Sequence, residues 1–190
     1  MREIIPPERF QSEDAVALAP WLLGKVLVRS FRDGRQTRHI ITETEAYNGP
    51  EDKACHASKG RTARTEVLFQ LGGVWYVYLC YGIHEMLNLV AGPKDFPAAI
   101  LFRGLHDVIG PGRLTKRLAI DRSLNTRPAE PPAGLHIEDE GIVVPKKWIQ
   151  KTPRIGIDYA GPEWVKKHWR FVVDPRWQPP ADFVAEESAQ

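Results

Sequence analysis

Cysteine is scarce in this 190-residue chain, where Cys55 and Cys80 are the whole supply. A disulfide scaffold is excluded, and a reducing compartment would leave two free thiols rather than one bridge. There is no C-x-x-C. His84-Glu85 opens like a zinc-protease motif but has Asn88 where the second histidine belongs, so no metal site is expected. Long apolar runs are also missing, and none approaches the ~20 residues of a membrane helix. Residues Met1 to Pro7 lack the apolar core and small-residue cleavage site of a secretion signal. A cytoplasmic location is expected, beside the nucleoid if the source is bacterial. No internal repeat is present, which sets aside solenoids.

What is there fits one ordinary globular domain: 43% hydrophobic, 26% charged, and long enough to bury a real core. The net charge of +2 does not by itself indicate a nucleic-acid partner, but its distribution is uneven. Between Arg113 and Arg170 there are 12 Lys/Arg against 7 Asp/Glu, a surplus of +5, so the remainder carries −3. A basic half beside an acidic half suits a phosphate-facing surface, and equally suits plain solvated surface.

Periodicity places a helix after Ser12, with an apolar stripe at Ala15, Leu18 and Leu22, a kink at Pro20 and an end at Gly24. Strands are expected at Lys25–Phe31 and Arg38–Tyr47 around a turn at Asp33-Gly34, then at Val74–Tyr81, Met86–Ala91 and Ala98–Leu105. A polar loop at 48–63 and a short helix at Thr62–Leu71 separate the first pair from the rest. A helix follows over Arg113–Ile120, then a connection at 125–134 with three prolines. Short strands are expected at Gly141–Val144, Arg154–Ile157 and Arg170–Val173, with a helical turn near Pro162–Lys167. The fold class is α+β: one domain over 1–190, a predominantly antiparallel curved sheet, peripheral helices and a protruding β-hairpin. Residues 1–10 and 179–190 are expected to be poorly ordered.

Three stretches can carry chemistry. Alternation puts Ile41, Glu43, Glu45 and Tyr47 on one strand face, ahead of an acidic loop ending in His56. Two carboxylates and a phenol in a row suit catalysis at the rim of a sheet. They also suit an exposed edge strand whose charges prevent edge pairing. The aromatic strand Trp75-Tyr76-Val77-Tyr78-Leu79-Cys80-Tyr81-Gly82 is either core packing or a stacking platform with a wedge at its tip. Gly110-Pro111-Gly112-Arg113, with Lys116 and Arg117 behind it, opens a helix in a way that lets a phosphate approach.

Taken in order, these stretches resemble the alkyladenine (3-methyladenine) DNA glycosylases of mammalian type. The match runs through Glu43-Thr44-Glu45-Ala46-Tyr47, Gly49-Pro50-Glu51-Asp52, His56, Tyr76-Val77-Tyr78, Tyr81-Gly82 and Asn88. It continues through Ile100-Leu101-Phe102-Arg103, Gly110-Pro111-Gly112-Arg113-Leu114, Leu118-Ala119-Ile120, Arg154-Ile155-Gly156-Ile157 and Trp169-Arg170-Phe171, covering about residues 10 to 178. The resemblance implies double-stranded DNA as partner, with a damaged purine turned out of the stack. Tyr81 would fill the vacated space, while Tyr47 on one side and His56 with Tyr78 on the other would sandwich the base. Asn88 would crowd the amino group of normal guanine, and Leu101 would form a further wall. Glu45 would activate water, with Arg103 holding that water and a neighbouring phosphate. Gly110, Gly112, Arg113 and Lys116 would meet the DNA backbone.

No lysine matches a nucleophile, so the implied reaction is hydrolysis that leaves an abasic site, without cofactor or metal. Expected substrates are 3-methyladenine, 7-methylguanine, hypoxanthine and ethenoadenine, acted on by a monomer. A helix–hairpin–helix glycosylase would need a mostly helical chain, which this is not. A non-catalytic nucleic-acid binding module with Tyr78 and Tyr81 as stackers is the alternative, and it leaves the Glu43/Glu45 face unexplained.

Overall fold

A computed structural model describes residues 2–187. Strand β3 (Gln36–Asn48), 13 residues long, runs through its centre. Its first half pairs antiparallel with β2 (Val26–Ser30), and its second half with β6 (Ala98–Leu105) and β10 (Arg170–Val173). The exposed-edge reading of this strand is therefore wrong: both flanks of β3 are occupied. Beyond β6 come β5 (His84–Val90) and β4 (Trp75–Cys80). On the other side β2 pairs with β8 (Leu135–Asp139), and β8 with β1 (Glu3–Ile4). The result is an antiparallel sheet in the order β1-β8-β2-β3-β6-β5-β4, with β9 (Ile149–Thr152) outside β10. The short β7 (Val108–Ile109) folds back on β6.

Helices lie at the margins. Asp14, rather than Ser12, caps α1 (Ala15–Trp21): its carboxylate accepts the Ala17 N–H at 2.9 Å, and Ser12 Oγ accepts the Asp14 N–H. The helix rests on β3, where Thr44 Oγ1 donates to the Ala19 carbonyl. Helix α2 (Pro111–Arg117) packs on β5 and β6, and α3 (Pro162–Val165) is a single turn. The main core fills one face of the sheet, with Leu22, Val26, Ile40, Ala46, Trp75, Leu89, Phe102 and Leu114 among its members. Two smaller apolar clusters cover the opposite face. One is built on Cys55, Leu68, Tyr76 and Ala99, the other on Ala54, Ile157 and Trp164, and Tyr47 packs against both.

The structure corrects several expectations. Gly141–Val144 is extended but joins no strand: Ile142 and Val144 are buried while Val143 faces solvent. Arg154–Ile157 is also not a strand, because its backbone and side chains serve β3 and the 48–54 loop instead. The strands in these regions are β8 and β9. The expected helix at Thr62–Leu71 is a 3₁₀ turn at Glu66–Phe69. Of the segment 1–10, β1 pairs with β8 and Phe10 is fully buried, so residues 3–10 pack rather than trailing. Near the other end β11 (Glu186–Glu187) pairs with β3, and Ser188 to Gln190 lie outside the described residues. The proline-rich connection is tied down, with the Arg127 carbonyl accepting the Trp75 N–H and the Ala129 N–H donating to Gly73.

Candidate active site

Residues paired across antiparallel strands point to the same side of a sheet. One such row crosses five strands, from Arg170 on β10 through Glu45 on β3, Leu101 on β6 and Asn88 on β5 to Tyr76 on β4. Two positions along the strands, Tyr47, Arg103 and Tyr78 extend this patch on the face away from the main core. The row gathers residues that are up to 125 positions apart in the chain, since Glu45 and Arg170 are cross-strand partners. Tyr47, His56, Tyr78, Asn88, Leu101 and Arg103 all line one cavity of about 470 Å³, within the usual size range for small-molecule sites.

Glu45 is fully buried immediately behind this wall. Its Oε1 accepts the Ile155 N–H at 2.9 Å and lies 3.4 Å from Arg103 Nε; its Oε2 accepts the Tyr47 hydroxyl at 2.9 Å. Tyr47, Arg103 and Ile155 themselves line the cavity. Burial pushes the Glu45 carboxyl above the usual glutamate range, opposed by Arg103, the Ile155 amide, Tyr47 and Arg170. The neighbouring Glu43 is engaged differently: its Oε1 takes Arg103 Nε at 3.0 Å and Arg170 Nε at 2.6 Å. Glu43 thereby orients the guanidinium that faces Glu45. Burial, with the charge of Glu45, pushes the Tyr47 phenol well up, so Tyr47 is a neutral donor.

Behind Tyr47 lies a buried ion pair that the sequence did not single out. Arg154 donates two hydrogen bonds to Asp52, at 2.6 and 2.9 Å, and one to the Ala46 carbonyl. Asp52 also accepts the Asn48 and Ala54 N–H groups. The Arg154 guanidinium stacks between the Tyr47 and Trp169 rings, 4.9 Å from each centroid. It therefore joins β3, the 48–54 loop and the segment whose Ile155 amide holds Glu45.

On the far wall His56 meets the Tyr78 ring edge-on at 4.7 Å and shares a 3.0 Å hydrogen bond between Nδ1 and the Tyr76 hydroxyl. Burial, then the charge of Arg64, brings His56 down to about 4, so its ring is neutral near pH 7. The Asn88 amide donates to the Tyr76 and Met86 carbonyls, fixing the side chain on the cavity floor. Cys55 and Cys80 are free thiols, and burial pushes Cys55 to about 12.

At the mouth, β4 and β5 meet in the three-residue tip Tyr81-Gly82-Ile83. Tyr81 is 90% exposed and Ile83 73%, and Tyr81 has a left-handed φ of 51°. Tyr159, also exposed, reaches the rim and donates its hydroxyl to the Ala54 carbonyl. Gly110 has a φ of 106° ahead of α2, while Arg113 and Lys116 are exposed on the helix. Gly112 has a packing reason of its own, since a Cβ there would lie 2.9 Å from the His84 ring. The tip end of the hairpin is thus seated against α2, where Thr115 Oγ1 donates to the Glu85 carbonyl. Pro111 also lines the cavity, so α2 begins at its edge. The structure thus brings together Glu45, Tyr47, His56, Tyr78, Asn88, Leu101 and Arg103, with Tyr81 on the lining at the mouth; Gly110, Gly112, Arg113 and Lys116 are not part of the lining.

Among the described residues no cluster of His, Cys, Asp or Glu could hold a metal ion, and no helix is long and apolar enough to cross a membrane. The sequence pattern of the methylpurine-DNA glycosylase family matches residues 9–109 and 107–176. A Psychrobacter cryohalolentis protein named "Putative 3-methyladenine DNA glycosylase" is 41% identical over 196 residues, spanning 87% of this chain and 91% of its own. The DNA-3-methyladenine glycosylase of Arabidopsis thaliana is also 41% identical, spanning 92% of this chain and 74% of its own. A Myxococcus xanthus protein with the same name as the first is 42% identical over 176 residues, 88% of this chain and 89% of its own.

Proposed function

The chain belongs to the methylpurine-DNA glycosylase family, and from that premise we propose that it is a monofunctional DNA glycosylase of base excision repair. It turns damaged purines out of duplex DNA and hydrolyses their N-glycosidic bond, leaving an abasic site. Its substrates are 3-methyladenine, 7-methylguanine, hypoxanthine and ethenoadenine, taken by a monomer. The carrying observation is Glu45: a fully buried carboxyl, raised by burial, held by Arg103, the Ile155 amide and Tyr47 directly behind the wall of a base-sized cavity.

In this reading water attacks the anomeric carbon from the Glu45 side. The carboxylate takes the water's proton and offsets the positive charge that builds on the sugar. Arg103, steadied by Glu43, positions the water and the neighbouring phosphate. Tyr47 stacks on one face of the base, and His56 with Tyr78 on the other. Asn88 crowds an exocyclic amino group at the floor, and Leu101 closes the wall. Tyr81 enters the gap in the stack, and Gly110, Gly112, Arg113 and Lys116 meet the DNA backbone. Among the described residues no lysine lines the cavity, which favours water over a Schiff-base nucleophile.

The test is single-turnover excision from duplexes bearing one hypoxanthine, ethenoadenine or 7-methylguanine, with and without alkali to cut abasic sites. Wild type should give breaks that need alkali. Glu45→Gln should lose at least a hundredfold in rate and still bind the duplex. Breaks without alkali would point to a lyase. Binding without excision of any lesion would favour a non-catalytic module.

A further inference from the structure

Two guanidiniums line the base cavity, and their surroundings differ. Arg103 pairs with Glu43 and stands beside Glu45. Arg64 is exposed at the rim, its guanidinium carbon 5.2 Å from the centroid of the Tyr78 ring. Its charge acts on the Tyr76 phenol and on His56. Among the described residues no carboxylate lies within ion-pair distance of Arg64. Arg61, three positions earlier, takes Glu66 and Asp95; Arg154 takes Asp52; Arg170 takes Glu43. Cys55, Tyr47, Tyr76 and Tyr78 on the wall add no compensating negative charge near pH 7, since Cys55 is pushed to about 12 and the three phenols are raised. Neutral His56 adds no positive charge either. The rim of the cavity thus carries one unbalanced positive charge.

We propose that Arg64 is a specificity-determining residue that biases the cavity toward neutral purine lesions and against lesions with a fixed positive charge. The inference rests on the glycosylase reading above. A base methylated at N7 of guanine enters as a cation and is repelled by the guanidinium. It also meets a Tyr78 ring whose face already holds a cation, so the usual cation–π attraction of such a ring is partly taken. Hypoxanthine enters neutral and keeps its N7 and O6 acceptors, which a guanidinium donor satisfies.

The two classes differ again as the bond breaks. In each case the water oxygen bonds to the sugar carbon, the water proton passes to Glu45, and the glycosidic electron pair leaves with the purine. A neutral lesion departs as an anion, which Arg64 stabilises before it takes a proton from solvent; a cationic lesion departs neutral and gains nothing.

The experiment is a competition in which a hypoxanthine duplex and a 7-methylguanine duplex share limiting enzyme, so that the product ratio reports relative kcat/KM. Because the ratio is internal, any fraction of misfolded variant cancels. Arg64→Gln should lower the hypoxanthine to 7-methylguanine ratio about tenfold, and Arg64→Lys should hold it within about twofold, since charge is the property invoked. An unchanged ratio in Arg64→Gln would overturn the proposal. So would an equal fall in both rates with a weaker salt dependence on undamaged duplex, which would make Arg64 a backbone contact. A wild type that excises neither base would instead sink the glycosylase reading itself.

Discussion

Glu43 and Glu45 lie on the same face of β3 and both approach Arg103, yet only Glu45 has no second arginine bonded to it. Glu43 is the anchor of a two-guanidinium clamp, and Glu45 is left with donors that orient it without cancelling its burial. That difference predicts a pH signature. Burial raises the Glu45 carboxyl, so the folded protein holds this proton more tightly than the unfolded chain does. The stability linked to protonated Glu45 is therefore full at low pH and lost as the pH rises through its folded pKa. Glu45→Gln removes this dependence. Its melting temperature should exceed that of wild type at pH 7, with the advantage shrinking as the pH falls to the 4.5 of an ordinary glutamate. Equal melting temperatures throughout would mean that Arg103 outweighs burial. Excision should fail on the acid side at a pH above 4.5, and His56→Gln should leave that limb in place, because His56 titrates only near 4.

At the scale of elements, the hairpin of β4 and β5 is an arm with an exposed tip. Its end is held just behind the tip by the seat of His84 against Gly112 and by the Thr115 bond to Glu85, while Tyr81 makes a left-handed turn in solvent. Tyr81→Gly suits that backbone, so stability should stay within about 0.5 kcal/mol of wild type or rise. Excision from duplex DNA should fall at least tenfold, and excision from a single strand, where no gap opens, should fall far less. Equal losses on both substrates would remove the wedge assignment. The strands that build this arm and its neighbours were legible because their apolar residues alternate cleanly. Leu135–Asp139 was not, although Leu135 and Ile137 are core. It follows a run of prolines, and its alternate residues His136 and Glu138 look solvent-facing. Both are in fact buried, with Glu138 taking Arg38 at 2.5 Å and His136 at 2.8 Å. Gly141–Val144 misled in the opposite sense, being apolar and extended with no strand to pair. The cavity-face residues Glu45, Tyr47 and Tyr78 could be read from local pattern, but the pairing of Arg154 could not, because its partner Asp52 is 102 positions away.

For the whole molecule, the charge count along the chain overstates the surface available to DNA. Arg154 and Arg170 belong to the basic half but are bound to Asp52 and Glu43 from the acidic half, holding the site together. Arg113 and Lys116 remain exposed on α2, at the edge of the cavity mouth. A net charge of +2 supplies little long-range attraction, so duplex affinity should depend on a few such local contacts. With about 3 to 5 phosphates neutralised, the slope of log K against log salt for undamaged duplex should lie at about −3 to −4.5. Arg113→Ala and Lys116→Ala should each make it shallower by about 0.9, the share of one phosphate. Arg35→Ala is the control: Arg35 is also exposed but faces Asp33 and the Phe31 ring in the acidic half, so its slope should match wild type. If the α2 variants leave the slope unchanged while Arg35→Ala lowers it, the DNA track runs across the β2–β3 turn instead. The face that carries the cavity would then have to be reached from a different direction.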